Sequence, residues 1–176
     1  MTGRFVSSEF VLKHATAPWE IAGARALRRE VFCREQKLFD GDDVDEVDGI
    51  AETLVAVAHV MGMPDRVVGT VRIHESAPNQ WTGSRLAVAP EYRRVATLGA
   101  ALIRGAVGTA RARGAERFLA TVQPRNRPLF ERLAWTAIGD AIVAGVPHLL
   151  MEAALEAYAS CFDEALARMP TLRRAS

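Results

Sequence analysis

Residues 85–107 read RLAVAPEYRRVATLGAALIRGAV. A short strand stops at Pro90, two adjacent arginines follow, and small residues open a helix. The first turn of a helix carries free backbone N–H groups and the positive end of its dipole, which suits an anion such as a pyrophosphate. Thr97, Gly99 and Ala100 keep side-chain bulk away, so backbone donors can approach a ligand. Arg93 and Arg94 add charge that can grip phosphate bidentately. An ordinary strand–turn–helix with two solvated arginines is the other reading of the same residues.

A second stretch, Arg34–Gly49, reads REQKLFDGDDVDEVDG and holds six carboxylates between Asp40 and Asp48. A calcium loop needs D-x-[DN]-x-[DN]-G with a distal Glu. Counting back from Gly49 puts Val44 first, and counting back from Gly41 puts Gln36 first, so both alignments fail. No accompanying His and Cys set suits a transition metal, and no metal site is expected. Like charges this dense repel when buried, so Asp40–Asp43 is expected to be solvated loop.

Glu35 lies four residues after Val31 and eight after Leu27, continuing an apolar helical stripe. It is either a partly desolvated general base with a raised pKa or a helix-end carboxylate paired with an arginine such as Arg28 or Arg34. Thr70, Arg72 and His74 share one face of a strand. Arg72 can hold a substrate carboxylate and His74 can act as a base. A structural ion pair and a sheet-edge position are the plainer readings. Arg85 and Trp81 share a face of the next strand. His59 and His148 read as strand residues satisfied by local hydrogen bonds, His14 as exposed, and Tyr92 as packing.

These groups must be positioned by a modest scaffold. The chain has 176 residues, 49% of them hydrophobic, which fits one globular domain over residues 1–176. A net charge of +1 argues against a nucleic-acid or membrane-surface role. No signal peptide or spanning segment is seen, and Cys33 and Cys161 read as reduced thiols of a cytoplasmic protein. The patterning predicts strands at Phe5–Lys13, Thr53–Met61, Val67–His74, Arg85–Ala89, Arg117–Val122, Thr136–Val143 and His148–Ala153. It predicts helices at Trp19–Glu35, Thr97–Ala112, Pro128–Leu133 and Leu155–Arg168, with a frayed tail beyond Pro170. Gly62-Met63-Pro64-Asp65 is expected to turn a hairpin. The order describes an α/β domain with a mixed sheet.

VAPEYRR…GAAL resembles motif A of the GNAT superfamily of acyl-CoA-dependent N-acyltransferases. The later NRPLFERLAW is similar to that family's N…Y-x-x-L-G-F segment. ALRREVFCREQ…DEVDG resembles the R-x-x-V-F-x-x-E-Q…E-x-D opening of several branches. VVGTVRIHE, TVQPRN and GVPHLLMEA resemble a bacterial subfamily linked to nitrilase-type gene clusters and nitrogen starvation. The resemblance implies a mostly antiparallel central sheet flanked by helices, with splayed central strands.

It also implies that acetyl-CoA or another acyl-CoA is the co-substrate. The binding residues carried over are Leu86, Ala87, Val88, Arg93, Arg94, Val95, Ala96, Thr97, Leu98, Gly99, Ala100, Asn126 and Phe130. The Val88 N–H would polarise the thioester carbonyl, and Glu35 or His74 would serve as base. The region after the first helix would cap an acceptor site, where Arg28, Asp45, Glu46, Asp48, Arg72 and Arg85 would meet a small-molecule amine. The family's dimers admit a homodimer here.

Three departures stand out. The Pro90–Gly99 loop is one residue longer than usual, which alters the pyrophosphate cradle. Phe130 stands where many relatives carry a Tyr that protonates the thiolate, and Ala134-Trp135 replaces Gly-Phe. Two further readings accompany acetyl transfer. One is a long-chain acyltransferase similar to the acyl-homoserine-lactone synthases, which would need an apolar acyl tunnel. The other is a non-catalytic acyl-CoA sensor.

Overall fold

The computed structural model describes residues 9–94 and 97–160, together with the backbone of residues 165–170. Its elements run β1 (Glu9–His14), α1 (Pro18–Arg28), β2 (Glu52–Val60), β3 (Met63–Ala77), β4 (Gln80–Val88), α2 (Leu98–Ala112), β5 (Arg117–Val122), α3 (Arg127–Arg132), β6 (Trp135–Val143), β7 (Val146–Ala153) and β8 (Ala165–Pro170). A π-helical segment, Arg29–Glu35, continues α1, and a 3-10 turn covers Glu46–Gly49. The strands form one sheet in the order β6-β7-β5-β4-β3-β2-β1-β8. Only the β4–β5 pair is parallel among the described residues. No helix among them is long and apolar enough to cross a membrane.

β2 shows why both faces of this sheet are covered. Val55 and Val57 meet Ala24 of α1 on one face, while Leu54, Ala56 and Ala58 join the main core with Leu98 and Leu102 of α2 on the other. That alternation carries a strand buried on both sides. Two glycines set the helix distances. A Cβ on Gly23 would come within 2.8 Å of Val67, and one on Gly69 within 2.8 Å of Leu102.

The β2–β3 turn is Met61–Gly62, both at positive φ (51° and 78°), which matches the twist of a two-residue hairpin. The strand therefore resumes at Met63, inside the stretch expected to turn. β4 starts at Gln80, earlier than its sequence suggested, after a hairpin through Pro78-Asn79.

The predicted closing helix Leu155–Arg168 does not appear among the described residues. A 3-10 turn covers Leu155–Ala157, and Ala165–Pro170 is a strand paired antiparallel with β1. Helical propensity is a weak bias, and the unpaired backbone edge of β1 outweighs it. The opening strand is described from Glu9 onward. Residues 5–8 and the tail beyond Pro170 lie outside the described residues.

Candidate active site

The parallel β4–β5 pairing runs from Gln80↔Arg117 to Gly83↔Ala120 and stops. The cause lies in β4. Thr70 pairs with Ala87 and Arg72 with Ser84, so Val71 faces two residues, Arg85 and Leu86. This is a β-bulge with Arg85 at φ 56°. A bulge bends its strand, and beyond this one a wedge opens between β4 and β5. The Ala89 N–H donates to the Val68 carbonyl at 2.8 Å. Backbone groups alternate in direction along an antiparallel strand, so those of Val88 face the wedge. There the Val88 carbonyl accepts from Arg93 Nε at 3.0 Å.

A cleft of about 400 Å³ follows this edge. It is lined by Leu86, Ala87 and Val88, by Gly99 and Ala100 at the start of α2, and by Arg93, Asn126 and Phe130. Leu98 departs from this set, because its side chain is buried in the core. Thr97 precedes α2 without a side-chain cap bond, and Arg94 is exposed. Val95 and Ala96 lie outside the described residues.

Glu35 does not extend the Leu27–Val31 stripe as expected. Gln36 N–H donates to the Val31 carbonyl, five residues back, at 3.0 Å. A π turn holds one residue more than an α turn, so Gln36 takes the place under Val31 and lines the cleft. Glu35 is turned outward, its side chain 37% exposed, and grips Arg93 Nη1 and Nη2 at 2.6 and 2.7 Å. The Arg93 hydrogen bonds outweigh desolvation and hold this carboxyl below its ordinary range, contrary to the expected rise. Its partner is Arg93, rather than Arg28 or Arg34.

The acidic loop is an ion-pair network. Asp43 is fully buried, against the expectation of solvent, and its Oδ2 accepts from Arg28 Nε at 2.8 Å and Arg85 Nε at 2.9 Å. Its Oδ1 is buried without a hydrogen-bond partner. Arg28 also reaches both Asp48 oxygens, at 2.5 and 3.0 Å. Arg72 grips Asp45 at 2.6 and 2.9 Å and donates to Ser84 Oγ at 2.9 Å. Three aspartates are answered by three arginines from α1, β3 and β4, which lets Asp43 be buried within an otherwise largely exposed loop.

Burial alone would raise the Asp48 carboxyl, but the Arg28 hydrogen bond and neighbouring cations hold it well below the usual range. The Arg72 hydrogen bond likewise holds Asp45 low. Arg28 and Asp48 thus serve the scaffold, and Glu46 is exposed. Arg85 stacks over the Phe39 ring at 4.3 Å, and its Nη1 meets no acceptor among the described residues.

A second cavity, of about 120 Å³, occupies the wedge itself. Gln36, Leu86, Asn126 and Phe130 line it as well as the cleft, so the two spaces adjoin. Among the described residues, its only titratable lining groups are Arg85 and His148. His148 is buried, and its Nδ1 lies 2.9 Å from the Val146 carbonyl. Donation there leaves the lone pair on Nε2. The reading of His148 as locally hydrogen-bonded therefore stands, and that same bond fixes the tautomer. Gln123 Nε2 donates to Gln36 Oε1 at 2.8 Å beside it.

His74 lines neither space. Burial and Arg72 lower its pKa, and its Nδ1 is buried without a partner. His59 Nδ1 lies 3.2 Å from the Val57 carbonyl, whereas His14 is partly buried beside Glu52 and Thr109. Tyr92 packs edge-on to Phe10. The Tyr158 hydroxyl donates to the Leu133 carbonyl and accepts from Trp135 Nε1 at 3.0 Å, away from both spaces, whereas Tyr92 lines the cleft. Gln36 and Gln123 went unmarked in the sequence, and His148 reads there only as a locally hydrogen-bonded strand residue. Only the short spacing of His148 to the β6–β7 turn, in GVPH, hinted at its fixed ring.

Comparison with known proteins gives three findings. The family model described as Acetyltransferase (GNAT) family matches residues 23–135, more than half of the chain. No curated protein matches in sequence. Among solved structures, a candidate N-acetyltransferase from Lactobacillus plantarum superposes with a TM-score of 0.71 at 22% identity, covering 82% of this chain and 97% of that one. An acyl-CoA N-acyltransferase from Pseudomonas aeruginosa gives 0.62 at 22%, covering 82% and 99%. FeeM, an N-acyl amino acid synthase from uncultured soil microbes, gives 0.66 at 14%, covering 84% and 91%. At these identities the likeness shows the fold: mixed α/β with a mostly antiparallel sheet flanked by helices.

Proposed function

The chain belongs to the acetyltransferase (GNAT) family, and from that premise we propose that it transfers an acyl group from acyl-CoA to the amine of a small molecule in the cytoplasm. The observation that carries this reading is the wedge. It turns the backbone of Val88 outward beside the start of α2 and leaves a cleft of about 400 Å³ for an extended arm. Leu86–Val88 would pair with that arm. The first N–H groups of α2 would receive its phosphates, with Arg93 beside them. The nitrilase-cluster kinship suggested by GVPHLLMEA is part of the same reading.

The acyl thioester supplies an activated carbonyl and leaves as a free thiol. The Val88 N–H donates to the carbonyl oxygen as charge gathers there. His148 Nε2 takes the proton that the amine sheds as its N–C bond forms. It returns that proton to the sulfur as the C–S bond breaks. Phe130 has no hydroxyl to do so. Arg85 orients the acceptor through its unshared Nη1, held by Asp43 and Asp45. Arg72 and Asp45 brace that arginine, and Glu46 lies on the solvent side.

The test is a thermal shift with CoA and acetyl-CoA, followed by thiol release across an amine panel. Stabilisation by CoA with amine-dependent thiol release supports the reading. Stabilisation without turnover by any amine would make the protein a sensor.

A further inference from the structure

We infer that the cavity within the wedge receives the acyl chain of the donor, and that the preferred donor carries roughly five or six acyl carbons rather than two. This rests on the proposed use of acyl-CoA. The cavity adjoins the cleft through Gln36, Leu86, Asn126 and Phe130, two residues along β4 from Val88, which lines the cleft.

Its two sides differ in chemistry. Strand alternation puts Phe118, Ala120 and Val122 of β5 on the α2 face of the sheet, within the main core. Ile103 and Ala106 of α2 line the same side. Trp135 closes it, edge-on to Phe118 at 5.7 Å and to Phe130 at 5.1 Å. Arg85 and His148 approach from the other side, with the Asp43 network and Phe39. An amine and its proton acceptor therefore meet the carbonyl from one face, while the opposite wall offers only apolar surface.

The size argues for more than acetyl. A water needs about 10–15 Å³ of such space, and a cavity of about 150 Å³ takes up benzene. With the acceptor's nitrogen entering on the Arg85 and His148 side, one methyl group would still leave much of the apolar side of a cavity of about 120 Å³ unfilled. The α2 side of the cavity is apolar, and an unfilled apolar wall forfeits contacts that a chain lying against it regains.

Isothermal titration with CoA, acetyl-, butyryl-, hexanoyl-, octanoyl- and palmitoyl-CoA tests this. Affinity is expected to rise about fourfold per added methylene and to level off near hexanoyl. Ala106→Leu, which places a side chain in the space, should cut the hexanoyl-to-acetyl affinity ratio at least tenfold. Ala120→Ile, on β5 at the same apolar side, should do the same and serves if the first variant fails to fold. A flat chain-length profile with CoA still bound overturns the acyl pocket and leaves the donor reading intact. Failure of CoA and every thioester to bind overturns both. An unchanged ratio in folded Ala106→Leu and Ala120→Ile also overturns the pocket.

Discussion

Glu35 holds both terminal nitrogens of Arg93, at 2.6 and 2.7 Å, while Nε of the same guanidinium rests on the Val88 carbonyl. One arginine thus joins the end of the π segment to the strand edge expected to meet the ligand. A phosphate arriving at the start of α2 would compete with the Glu35 carboxylate for this cation.

Glu35→Gln therefore separates two roles. Loss of a half-exposed ion pair changes little energy, so CoA should bind roughly twofold to fivefold tighter as Arg93 is released. The turnover number should stay within about twofold, whereas removing a general base lowers it by about 10²–10⁴-fold. Titration calorimetry and steady-state kinetics on one preparation decide between them.

His148→Gln keeps a polar group at the cavity wall and removes the proton acceptor. Thiol release should fall by about 10²–10⁴-fold, with CoA affinity within about twofold of the parent. A variant of undiminished turnover would hand the role to a water chain.

Arg28→Met tests the buried network. Asp43 and Asp48 would be left beside an apolar side chain, and breaking a buried pair in this way costs about 3–5 kcal/mol. The urea midpoint at neutral pH measures the loss. A change under 1 kcal/mol would mean that Arg85 and Arg72 suffice for both aspartates.

Asp45 links the network to pH. Its folded-state pKa is depressed by the Arg72 hydrogen bond. Between that value and the unfolded value of about 3.9, the unfolded chain binds more protons. The stabilisation is therefore full above about pH 5 and is lost as pH falls through the folded value. Asp45→Asn should be less stable at pH 7 yet lose less on going to pH 3. Urea midpoints of both proteins at the two pH values would show parallel losses if Asp45 were merely solvated.

Much of the sheet was legible because its signals are local. TLVAVAHVM must be strand wherever it is buried, and in RGAERFLATV the strand reads clearly once Gly114 closes α2 at φ 85°. The misses have one origin, since each depends on a distant partner. Leu155–Arg168 carries a helical pattern, and only the open edge of β1 makes part of it a strand. Asp43 reads as solvated until Arg28 and Arg85 arrive from 15 and 42 residues away. His148 enters the site only because β7 pairs with β5 rather than with β4. An ion pair for Arg72 could be anticipated, because shared strand faces survive in one dimension, whereas its partner Asp45 could not.

The π segment has a consequence of its own. Gln36 faces the wedge and Glu35 faces solvent because one turn carries a surplus residue. Deleting a single residue from Arg29–Glu35 would rephase that turn to α-helical winding and swap which of the next side chains looks inward. Whether the ligand meets a neutral amide or a carboxylate is thus settled by counting, and a change in length here would alter the site's charge without replacing any residue within it.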